Sequence, residues 1–69
     1  MPTGTITRLN LDRGFGFIEP KGQGVIVFFH HSELDDDLPF DEQLRYREVV
    51  YDNGRTNRGP AARNIRPAW

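Results

Sequence analysis

The residues best suited to chemistry lie in two short stretches, Arg13-Gly-Phe-Gly-Phe-Ile-Glu-Pro20 and Val27-Phe-Phe-His-His-Ser32. Phe15 and Phe17 stand two apart, as do Phe28 and His30. Residues two apart on a β-strand share a face. If the stretches pair as strands, Phe15, Phe17, Phe28 and His30 form one patch of rings, with Gly16 leaving room between two of them. Ile18, Val27 and Phe29 then point into a core. Rings on a sheet face beside an arginine make a platform on which nucleotide bases can stack. Each stacked base is worth roughly 1–3 kcal/mol, whatever the sequence, because every base has a π-face.

Aromatic residues at period two more often form one side of an ordinary core. Here both parities are apolar, and a chain of 69 residues has too little material to cover both faces of a central sheet. One ring face is therefore expected to stay open, and an open aromatic patch marks a binding site. Arg13 to Glu19 also fits the first ribonucleoprotein motif except at its last position, Pro20. An RRM would need two helices between its strands and its second motif ahead of the first. Here the partner stretch follows after a short turn, which excludes that fold.

The elements that must position these rings read as five strands. Strand 1 is expected over about Thr5 to Leu11, with mixed alternation. Asp12-Arg13-Gly14 is a tight turn in which glycine can take positive φ. Strand 2 follows over about Phe15 to Glu19, then turn residues Pro20 to Gly24, and strand 3 over about Val25 to His30. Ser32 to Leu34 suits one turn of 3₁₀ helix capped by Ser32. Asp35 to Pro39 is loop, because adjacent carboxylates repel and proline cannot pair in a ladder. Leu44 to Tyr51 reads as strand 4 with a bulge where Glu48 breaks the alternation; an amphipathic helix gathers its apolar residues poorly. Asp52 to Gly59 opens on an Asn-Gly hairpin signal, and strand 5 covers about Ala61 to Arg66. Five short strands without a convincing helix favour a small closed barrel, which removes sheet edges.

Taken together, Gly4-Thr-Ile-Thr-Arg-Leu-Asn10, Arg13 to Glu19, Val27 to Ser32 and Arg58-Gly-Pro-Ala-Ala-Arg-Asn-Ile65 resemble the bacterial cold-shock proteins, in that family's order and over nearly the whole chain. The resemblance implies an all-β fold, a five-stranded antiparallel OB-type barrel forming one domain over residues 1–69. It implies binding of single-stranded RNA and DNA and a nucleic-acid chaperone role. The expected interface is Arg8, Asn10, Arg13, Phe15, Phe17, Phe28, His30, His31 and Arg58, with Arg13 and Arg58 holding phosphates. Three departures stand out. Family members usually carry tryptophan where Arg8 stands and phenylalanine where Leu9 and His31 stand. Arg8 is either a stacking and phosphate-pairing substitute or a solvated charge. The family's loop aromatic falls on neither Leu38 nor Phe40 unambiguously, because the acidic loop differs in length. Trp69, the only tryptophan, is expected to fray and stay exposed.

Composition bounds the rest. One domain of this size buries only about 60% of its unfolded surface, so its stability is marginal. Cysteine is absent, which removes disulfides and thiolate metal sites and suits a reducing cytoplasm. No apolar stretch approaches membrane length and no secretory signal opens the chain, so a soluble, cytoplasmic monomer is expected. The net charge of −1 describes the distant field, whereas Asp35 to Asp37 with Glu33, Asp41 and Glu42 separate from the arginines and permit a basic face and an acidic edge. His30-His31 lacks a third ligand at useful spacing, and neighbours on a strand face opposite sides, so no metal is expected. Asp35-Asp-Asp37 lacks the alternation and closing glutamate of a calcium loop. Gly14-x-Gly16 is followed by no helix, so it is no dinucleotide fingerprint. With no nucleophile elbow and no acid–base pair, neither an enzyme, a cofactor nor a small-molecule substrate is expected. The competing role is a small barrel that contacts protein through its aromatic face or acidic edge.

Overall fold

The computed structural model describes residues 2–22 and 25–68. Its five strands are β1 (Thr3–Asn10), β2 (Phe15–Pro20), β3 (Val27–His30), β4 (Glu48–Thr56) and β5 (Gly59–Pro67). They close into a barrel in the order β1-β2-β3-β5-β4, and β1 and β4 complete the ring. Every pairing is antiparallel except β3 with β5, which run parallel at Phe28 and Ala61, so the purely antiparallel barrel expected from the sequence is corrected at that seam.

Inside the barrel lie Ile6, Ile18, Val27, Phe29, Val49, Tyr51, Ala62 and Ile65, with Leu38 and Leu44 closing it from the loop that joins β3 to β4. Phe29, Ile6, Ile18 and Ile65 are fully buried. The alternation expected for β2 and β3 therefore holds: Ile18, Val27 and Phe29 point inward. Val25 and Ile26, assigned from sequence to strand 3, precede it and are exposed. Gly14 takes φ 77° at the end of the β1–β2 turn. A side chain there would also strike the His31 ring, 2.6 Å from the position of a Cβ.

The mixed alternation of β1 has a physical cause. Ile6 pairs with Ile18 but Arg8 pairs with Phe17, so Thr7 is an extra residue and the strand bulges there. Without the bulge, residue 8 would share the inward face of Ile6. With it, Arg8 turns outward, opposite Phe17, while Leu9 packs against the core.

Strand 4 is displaced from its expected place. Leu44 ends a 3₁₀ turn over Glu42–Leu44, capped by Asp41, whose carboxylate accepts from the Gln43 N–H at 2.9 Å. Tyr46 follows with φ 69° and is exposed. The strand begins at Glu48 and continues through Asn53-Gly54, where the sequence suggested a hairpin. The real reversal is at Asn57-Arg58, between the paired residues Thr56 and Gly59. The irregularity in the β4–β5 ladder also lies elsewhere, between Val50 and Asp52, opposite Asn64 at φ 50°. There Asp52 accepts from the Asn64 side-chain amide at 3.0 Å and pairs with Arg66 at 3.5 Å.

Candidate nucleic-acid interface

β2 and β3 pair with Phe15 opposite His30 and Phe17 opposite Phe28. Directly opposed residues on one face lie about 4.5–5.5 Å apart at Cβ, close enough for large rings to meet. Phe15, Phe17 and Phe28 form a closed triad: centroids are 5.9 Å apart for Phe15–Phe17, 5.6 Å for Phe15–Phe28 and 6.0 Å for Phe17–Phe28. All three rings are half-buried, whereas the sequence reading had them exposed. They contact one another and belong to no part of the core. Gly16 does not separate these rings, as the spacing suggested. It faces the other way, where a Cβ would lie 2.8 Å from the Phe29 ring and 2.6 Å from the Arg8 carbonyl. Glycine there lets the core ring approach the sheet closely.

The ring surface continues past the triad. β3 ends at His30, and His31 opens a 3₁₀ turn, His31–Glu33. The two imidazoles consequently lie side by side, centroids 4.5 Å apart, not on opposite faces as neighbours on a strand would. His30 itself caps the turn: its Nδ1 accepts from the Ser32 N–H at 3.2 Å and faces the Ser32 hydroxyl at 2.9 Å. Ser32 was the expected cap, but the turn starts one residue earlier. Beyond His31 comes Phe40, 5.7 Å away and tilted by 36°, which also meets Phe29 edge-on at 6.5 Å. Leu38 is buried. The sequence left Leu38 and Phe40 undecided as the loop aromatic; of the two, Phe40 is the one that packs against His31. No group of three His, Cys, Asp or Glu that could hold a metal gathers among the described residues.

Positive charge surrounds the rings. The β4–β5 turn, in which the Thr56 hydroxyl accepts from the Arg58 N–H at 3.1 Å, carries the Arg58 guanidinium over the triad. Its carbon lies 5.4 Å from the Phe28 centroid and 6.0 Å from that of Phe15, within cation–π reach. Arg55 and Arg63 line a cleft of about 100 Å³ together with Phe28, His30 and Glu33, whose carboxylate pairs with Arg63 at 3.9 Å. Arg13 is exposed in the β1–β2 turn, where its N–H donates to Asn10 Oδ1 at 3.1 Å. Asn10 thus shapes the turn that presents Arg13. Arg8 stands at the far end of the row, lining a cleft with Phe17 and Ile26. Asp35, Asp36 and Asp37 are exposed in the loop that follows the 3₁₀ turn. Trp69 lies outside the described residues. Among the described residues no helix is long and apolar enough to cross a membrane.

The arrangement is a half-open surface of aromatic rings with cations along it. A family model described as the 'Cold-shock' DNA-binding domain matches residues 2–68. The chain is 37% identical over 68 residues to cold shock protein ScoF of Streptomyces coelicolor, covering 99% of this chain and 100% of the relative. It is 39% identical over 67 residues to cold shock protein 2 of Lactiplantibacillus plantarum, covering 97% and 98% respectively. Among solved structures, the Drosophila Unr CSD456 chain superposes with TM-score 0.78 at 26% identity, over 99% of this chain and 26% of that one. The chain therefore belongs to the cold-shock domain family, whose members bind nucleic acids.

Proposed function

We propose that this protein binds single-stranded RNA and DNA with little sequence preference, as a cytoplasmic, monomeric, single-domain nucleic-acid chaperone and not as an enzyme. The observation that carries this reading is the triad of Phe15, Phe17 and Phe28, half-open on a barrel whose core does without it, with Arg58 lying across. Single-strand binders combine a cationic track with successive aromatic rings. Bases stack on the triad, His30 and the His31–Phe40 extension, while Arg13 and Arg58 hold phosphates. Arg58 swings off Phe28 when a base arrives, exchanging one cation–π contact for stacking and a phosphate. Weak, rapidly reversed binding of this kind keeps RNA from folding back on itself.

Titrating labelled dT7 and U7 at two salt concentrations tests the proposal. Binding tighter than about millimolar is expected. Each single-strand phosphate contact contributes about −0.7 to the slope of log affinity against log salt, so two contacts give about −1.4. No binding to either strand would reassign the face to a protein partner.

A further inference from the structure

The bulge at Thr7 builds a site that stacking alone does not explain. It turns Arg8 onto the ring face opposite Phe17, and the exposed Ile26 stands beside them. The three line an open cleft of about 270 Å³ at the end of the aromatic row. Arg45 is paired with Glu42, Arg63 with Glu33 and Arg66 with Asp52. Arg8 is exposed and makes no side-chain hydrogen bond or ion pair among the described residues, so its donors are available. Arg13 sits in the turn and Arg58 over the triad, leaving Arg8 the cation of this cleft.

An apolar floor next to a planar fork of N–H donors suits a flat base laid on Phe17 with one edge toward the guanidinium. Guanine presents O6 and N7 as adjacent acceptors, which arginine takes bidentately. In a single strand that edge is open. Adenine sets an amino donor beside its N7, and thymine and uracil offer no adjacent acceptor pair. Cytosine offers O2 and N3 but a smaller face to Phe17 and Ile26. We infer that Arg8, with Phe17 and Ile26, forms a guanine-selective base position at one end of an otherwise sequence-tolerant surface. The inference rests on the single-strand reading above and adds specificity to it.

The test uses dT7 and strands in which a single guanine, adenine or cytosine replaces thymine at each position in turn, titrated against wild type, Arg8→Met and Arg8→Lys. Circular dichroism confirms that the variants fold, as expected for an exposed position. Guanine at one position should tighten wild-type binding by roughly five- to a hundredfold, the range for one bidentate pair. Arg8→Met should lose that gain, binding the guanine strand no more tightly than it binds dT7, and Arg8→Lys should keep at most part of it. Equal affinity for every base at every position, with dT7 still bound, overturns the inference and leaves the stacking proposal standing. So does a guanine preference that survives Arg8→Met, or a preference for cytosine. If Arg8→Met weakens all strands equally and makes the salt slope shallower, Arg8 is a phosphate contact and the inference fails. Failure to bind any strand removes both readings.

Discussion

Phe28 and Phe29 are neighbours in sequence and opposites in the fold, so truncating each to alanine separates stability from binding. Phe29 is fully buried, meets Phe40 edge-on and lies beneath Gly16. Removing such a ring costs about 3–5 kcal/mol, comprising lost burial and a cavity that closes only in part. At roughly 0.05–0.15 kcal/mol per residue, the whole 69-residue chain holds only a few to about 10 kcal/mol. Phe29→Ala should therefore remove about 30% or more of the total. Phe28 is half-buried and touches Phe15 and Phe17. Its alanine variant loses ring contacts worth about 0.5–1.5 kcal/mol each beyond area, so the cost to stability is about 1–3 kcal/mol and the chain stays folded. Binding by Phe28→Ala should fall by a further 1–3 kcal/mol or so. Urea denaturation followed by far-ultraviolet circular dichroism gives the first quantity, and titration of a labelled heptanucleotide gives the second. If Phe28→Ala unfolds the domain while Phe29→Ala leaves it intact, the β2–β3 register is wrong by one residue.

The Gly16→Ala change places a methyl group against the Arg8 carbonyl and the Phe29 ring, and the carbonyl is fixed by the β1–β2 ladder. Overpacking of this kind should lower stability by about 1–3 kcal/mol in the same urea experiment. The Asn64 amide, followed by Arg66, holds the Asp52 carboxyl below its usual value of 3.8. A depressed folded-state value means stability that is complete above the ordinary carboxylate range and lost as pH falls through the lowered one. Asp52→Asn should therefore be less stable than wild type at neutral pH, with the difference shrinking below about pH 4; an undiminished difference in acid would remove the linkage. Replacing Arg8 by tryptophan should strengthen dT7 binding by roughly five- to a hundredfold through one added stack, and abolish the guanine preference. Weaker binding by that variant would contradict the placement of residue 8 beside Phe17.

The ring face was legible because its period-two spacing is local and because so short a chain cannot cover both sides of a sheet. Phe15, Phe17, Phe28 and His30 are brought together as the spacing required. The half-burial of the rings was not legible, since their contacts with one another and with Arg58 exist only in the fold. Strand 4 was misread for a different reason. Asn53-Gly54 carries a strong hairpin signal, yet Gly54 is paired with Ala61 inside the strand, and a Cβ there would meet the Arg63 side chain at 2.5 Å. The glycine sits inside a paired strand, and nothing in a local window distinguishes that place from a turn. The β1 bulge left a trace in the mixed alternation, but its position depends on pairing with β2. Phe40 could be placed only once the 3₁₀ turn had swung His31 beside it. Arg55 was hidden because it lies beside the misplaced reversal, and Arg63 because the pairing of β5 with β3 is visible only in the fold.

The most direct measurement is backbone amide chemical-shift mapping of the isotope-labelled protein as an unlabelled heptanucleotide is added. Single-strand binding by stacking predicts the largest changes at Phe15, Phe17, Phe28, His30, His31 and Arg58. The amides of Asp35, Asp36 and Asp37 should be nearly still. Saturable changes centred on the acidic loop, with the three phenylalanines undisturbed, would contradict the account.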